Sequence, residues 1–79
     1  MLTYGELERF NIDELEKIGI DEADPNNKNA RYVLGRKLIE GSILYDFQKS
    51  PKKGLTWLRE NASNSHSDSQ EYLGKPSPS

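Results

Sequence analysis

The apolar positions of this chain fall into short helical stripes separated by polar breaks. Leu7, Phe10, Leu15 and Ile18 recur at roughly helical spacing and run out at Gly19. Thr3 followed by Glu6, and Asn11 followed by Glu14, have the spacing of capping boxes, in which a cap side chain and a carboxylate three residues on satisfy each other's backbone donors. The pattern predicts one broken helix or two short ones in this region. Asp24-Pro25-Asn26-Asn27 then supplies turn chemistry, with proline fixing its own backbone angle and the Asx side chains bonding nearby backbone.

From Lys28 the stripe becomes regular. Ala30, Val33, Leu34 and Leu38 share one helical face, Arg31, Arg36 and Lys37 lie elsewhere, and Gly41 provides the stop. Residues 42–49 carry apolar side chains without helical caps and read as a loop tucked against the helix. Ser50-Pro51 marks a second start, with serine as N-cap and proline at the first helical position. Leu55, Leu58 and Ala62 line the buried face expected of that helix, with Trp57 beside them as a filler between layers. Ser63-Asn64-Ser65-His66 reads as a polar turn, Ser67 with Asp68 as a cap, and Gln70 to Leu73 as the start of a third helix. Gly74 and the proline-containing tail 75–79, expected to be flexible, end it.

Two stretches share a phrase: Ala30-Arg31-Tyr32-Val33-Leu34-Gly35 and Ser69-Gln70-Glu71-Tyr72-Leu73-Gly74. Leu34 and Leu73 are 39 positions apart, within the span of helical-hairpin repeats. Between the phrases stand Gly41, Lys53-Gly54, Trp57-Leu58 and Ala62. In that order the chain resembles the Sel-one-like repeat, a relative of the tetratricopeptide repeat, over about residues 30–74. It departs from the family pattern at Leu38, where an aromatic is usual, at Gly54 and Asn61 in place of alanine, and at Leu58 in place of tyrosine or phenylalanine. Gly54 is the costliest departure on helix propensity, about 0.8–1 kcal/mol relative to alanine. The fold class expected is therefore all-α: an acidic helical segment or cap over residues 1–24, then a short α/α-hairpin, a solenoid fragment, over 28–74. Its structural positions are Leu34, Gly35, Leu38, Gly41, Gly54, Trp57, Leu58, Ala62, Leu73 and Gly74.

The resemblance implies a non-enzymatic protein-interaction module, an adaptor or accessory subunit docking on a larger protein. In such hairpins the first helix lines the binding surface, which places Asn29, Tyr32, Arg36 and Glu40 on the candidate face. One hairpin cannot cover both of its apolar faces, so either the N-terminal helices or a partner must complete the stack.

Composition narrows the function classes. Hydrophobic residues are 33% and charged residues 30% of the 79, and mean hydropathy is -0.90, so the core must be thin. There is no cysteine, which removes disulfides and thiolate zinc sites and fits a reducing, intracellular and cytoplasmic setting. No secretory pattern opens the chain and no window is apolar enough to span a membrane.

Net charge is -2, unevenly divided: residues 1–24 hold eight acids against Arg9 and Lys17, while the remainder is net basic. This suggests an alternative function, an acidic regulatory segment acting on a basic partner surface. Lys49, Lys52 and Lys53 near Trp57 raise a nucleic-acid reading, but the chain is acidic overall and no groove-reading motif is present. His66, the only histidine, sits among serines and reads as a solvated turn residue. A weak metal pair with Asp68 is the less favoured reading. No cofactor is implied. Asn61-Ala62-Ser63 has the form of a glycosylation sequon, here a chance match, and Ser50 and Ser77 precede prolines as in proline-directed phosphosites.

Overall fold

A computed structural model describes residues 1–40 and 50–74, which form five helices: α1 (Tyr4–Leu7), α2 (Ile12–Ile20), α3 (Asn27–Glu40), α4 (Pro51–Ser63) and α5 (Ser67–Gly74). The protein is all-α. Gly41, the loop 42–49 and the tail 75–79 lie outside the described residues.

Both N-terminal capping boxes form. Thr3 Oγ1 accepts from the Glu6 amide at 3.2 Å and Glu6 Oε1 accepts from the Thr3 amide at 2.9 Å. Asn11 and Glu14 repeat the exchange at 2.8 and 3.2 Å. Two short helices result, and the second continues through Gly19 to Ile20. The turn that follows is built as its residues suggest, with Asp24 Oδ1 accepting from the Asn26 amide at 2.7 Å. Asn26 Oδ1 in turn accepts from the Leu2 amide at 2.7 Å and ties down the start of the chain.

Helix α3 is the central element, packed against α1 and α2 on one side and α4 on another, while α5 packs on α4. The main apolar cluster joins Leu7 and Leu15 to Ala30, Val33, Leu34 and Leu38. The turn at 24–27 therefore connects two halves of one core. The acidic helices cover α3 through their leucines and leave Glu6, Glu8, Asp13 and Glu14 on the exposed side.

The α3/α4 contact has a different chemistry. A Cβ at Gly54 would lie 2.5 Å from the Gly35 carbonyl oxygen and 2.7 Å from Ile39 Cγ1, and one at Gly35 would lie 2.7 Å from Leu58 Cγ. Glycine at 54 is thus a condition of the crossing: the propensity cost of glycine in a helix is set against a clash that alanine introduces.

Several side chains depart from their expected places. Asn61 is fully buried while Ala62 and Leu55 are half-buried, so the inner face of α4 runs through Gly54, Leu58 and Asn61. Trp57 is half-buried against the edge of the core rather than enclosed between layers. Arg31, assigned to the outer face, is only 7% exposed. Ser50 occupies the N-cap position before Pro51 but makes no side-chain cap bond; its amide donates instead to the Leu38 carbonyl at 2.7 Å. Ser67 is already inside α5, and the cap belongs to His66, whose Nδ1 accepts from the Ser69 amide at 3.2 Å. Ser65 takes the positive φ of 69° that closes the turn before it.

Candidate interaction surfaces

Asn29, Tyr32, Arg36 and Glu40 follow one another at three- and four-residue steps along α3, so the helix aligns their side chains. The chain itself covers most of that line. Asn29 Oδ1 is 3.1 Å from His66 Nε2. The Tyr32 ring lies 4.9 Å from Tyr4 of α1, 5.6 Å from His66 and 6.4 Å from Tyr72 of α5, the last edge-on. The Arg36 guanidinium sits over Tyr32 at 5.4 Å, with Glu8 and Glu40 each at 3.8 Å. Those separations are ion pairs rather than hydrogen bonds, and Arg36 Nε has no hydrogen-bond partner among the described residues. Glu40 is exposed, and its Oε2 accepts from the Tyr72 hydroxyl at 3.5 Å.

Burial governs the titration of this cluster. It raises the Tyr4 hydroxyl above its ordinary value, reinforced by the bond that Tyr4 donates to Asp68 Oδ2. It raises Tyr72 as well, with the Glu40 carboxylate adding to it. His66 is held below its ordinary 6.5 by burial, with Asp68 opposing and Lys28 adding to the depression. These facts overturn the reading of His66 as a solvated turn residue. Within the described residues no group of three histidine or acidic side chains is placed to hold a metal.

A second surface opens on the other side of α3. Gly19, Ile20, Arg31, Lys53, Thr56, Trp57 and Glu60 line an open groove of about 390 Å³ between α2 and α4. Arg31 organises its floor. Its Nε donates to the Gly19 carbonyl at 2.7 Å, its guanidinium is 5.7 Å from the Trp57 ring centre, and one terminal nitrogen is 3.7 Å from Glu60. Asn27 Nδ2 donates to the Ile18 and Gly19 carbonyls at 2.9 and 2.7 Å. A cation and an amide thus satisfy the carbonyl end of α2, which carries partial negative charge. Gly19 permits this approach: a Cβ there would come within 3.3 Å of Arg31 Cγ and 3.4 Å of Trp57 Cζ3. At the rim Ile20 is 68% exposed.

Of the residues singled out from sequence, Leu34, Gly35, Leu38, Gly54 and Leu58 are buried, Trp57, Ala62 and Leu73 are half-buried, and Gly74 is exposed at the end of α5. Arg31, Ile20 and His66 were missed as site residues. An isoleucine directly after the glycine where the stripe was expected to end was a usable signal for Ile20. Arg31 carries no local signal, because its partners stand elsewhere in the chain, and while His66 caps Ser69 three residues on, its contacts with Tyr4, Asn29 and Tyr32 are not recorded locally. Comparison with protein-family models, curated proteins and solved structures returns no match. Among the described residues no helix is long and apolar enough to cross a membrane.

Proposed function

We propose that this chain is a small, non-enzymatic helical interaction module that docks on a larger protein, gripping it through the groove between α2 and α4. The observation that carries this reading is the juxtaposition of exposed Ile20, half-buried Trp57 and the cationic side chains of Lys53 and Arg31 around one open groove. An aromatic beside an arginine, partly shielded from water, is the composition that dominates binding energy at protein interfaces. The reading includes membership of the Sel-one-like repeat group, with the α3/α4 pair as its hairpin and α5 as the start of the next unit. What supports that part is the Leu-Gly phrase on α3 and again on α5, with the close glycine crossing of Gly35 and Gly54. It also includes an intracellular, cytoplasmic setting, supported by a chain without cysteine.

The alternative of an acidic regulatory segment is less well supported, because Leu7 and Leu15 are fully buried and bind that segment into the fold. A photo-crosslinking residue placed at Thr56 in the groove, and in a second protein at Asp13 on α2, tests the proposal in cells. A discrete crosslinked partner at Thr56 that disappears with Ile20→Asp, and does not form from Asp13, is the expected outcome. Equal capture from both positions, or capture indifferent to Ile20→Asp, overturns it.

A further inference from the structure

The junction of α3, α4 and α5 is held by a chain of hydrogen bonds running from Asn61 through Ser69 to His66. Asn61 Nδ2 donates to the Lys28 carbonyl at 2.6 Å and to Ser69 Oγ at 3.2 Å, which uses both of its protons. Ser69 is fully buried, and having accepted from Asn61 its hydroxyl donates onward to His66 Nδ1 at 2.9 Å. The Ser69 amide donates to the same nitrogen at 3.2 Å. Two donors converge on Nδ1, so the ring proton resides on Nε2, where Asn29 Oδ1 at 3.1 Å and the Tyr4 oxygen at 3.3 Å stand as acceptors. Tyr4 is free to accept because its own proton goes to Asp68.

Protonation breaks this arrangement at one atom. A proton on Nδ1 faces the Ser69 N–H and O–H, the α5 amide loses its cap, and the buried serine hydroxyl must reorient. The groups facing His66 are Tyr4 from α1, Lys28, Asn29 and Tyr32 from α3, Ser69 and Asp68 from α5, with Asn61 of α4 behind Ser69. Of the charged groups among the described residues that face it, only Asp68 favours the imidazolium. Its carboxylate already accepts the Tyr4 proton, while Lys28 and burial work against the charge.

We propose that His66 is an acid-sensitive latch: neutral, it holds α5 against the Tyr32 face of α3, and protonated, it lets α5 go and uncovers Asn29 and the edge of Tyr32 that faces His66 and Tyr72. The docked state prefers the neutral ring, so docking is strongest above 6.5, the ordinary histidine value, and weakens as pH falls below it. Between that value and the lower midpoint of the docked ring, the undocked fraction rises by up to about tenfold per pH unit.

Because the chain has a single histidine, its ring is read without ambiguity by nitrogen NMR of the full protein. The expected result is the Nε2–H tautomer at pH 7.5, a midpoint below 6.5, and loss of amide exchange protection at Ser69 and Gln70 with that same midpoint, while Leu34 stays protected. His66→Asn keeps an acceptor for the Ser69 amide but does not titrate, and is expected to give α5 protection that is flat from pH 7.5 to 5. An Nδ1–H tautomer, a midpoint at or above 6.5, or α5 protection indifferent to the titration overturns the proposal. Should the variant fail to fold, the wild-type tautomer and the coincidence of the two midpoints decide it.

Discussion

The two sides of α3 are held by different forces. Toward α1 and α2 the contact is mainly a cluster of leucines with Val33 and Ala30, each at most 5% exposed, with the bonds of Asn27 and Arg31 to the end of α2 at its margin. Toward α4 and α5 it is a glycine crossing followed by the Asn61–Ser69–His66 bond chain. Apolar burial is non-directional and indifferent to pH, so the first side tolerates small movements. The second depends on the position of single atoms, because a backbone approach excludes even one methyl group and a buried donor without an acceptor costs its full desolvation. The lesson is that a thin core can be extended by close backbone contact and polar satisfaction, at the expense of tolerance.

Substitutions on the two sides sharpen that contrast. Leu34→Ala removes a fully buried side chain from the leucine cluster and is expected to cost about 2–5 kcal/mol, visible as a large fall in urea midpoint or outright unfolding. Gly54→Ala is expected to cost about 1–3 kcal/mol by overpacking, although helix propensity alone favours alanine by about 1 kcal/mol. A more stable Gly54→Ala protein would refute the glycine crossing. Asn61→Ala removes the donors to the Lys28 carbonyl and Ser69, and a loss of about 1–3 kcal/mol is expected in the same denaturation assay. It should also accelerate exchange in α5 more than in α2. The smallest effect is expected from Thr3→Ala, which strips the cap from α1 at about 1 kcal/mol in the same assay.

The line of side chains along α3 was legible only in part. Asn29, Tyr32, Arg36 and Glu40 were placed on one face by the repeat resemblance, and their three- and four-residue steps along α3 do align them. That the face is covered by Tyr4, His66 and Tyr72 was not readable, since those residues approach from 28 to 40 positions away in sequence. Asn61 makes the same point. By the repeat resemblance it stood in an alanine's place and looked like a weakened packing position, yet its amide is what connects α3 to α5.

The sequence by itself determined what depends on neighbours within about one helical turn. The two capping boxes, the turn at Asp24–Asn27 and the apolar stripe of α3 follow from side chains reaching backbone or one another two to four residues away, and the start of α4 from the fixed backbone angle of Pro51. Tertiary structure alone decided which of those stripes met. It placed Leu7 and Leu15 on α3, buried Arg31 against the end of α2, set the close crossing at Gly54 and brought His66 against Tyr4, Asn29 and Tyr32. The physical reason is distance along the chain: burial and hydrogen-bond partners at these positions come from other helices, and no local pattern of polar and apolar residues records which helix will arrive.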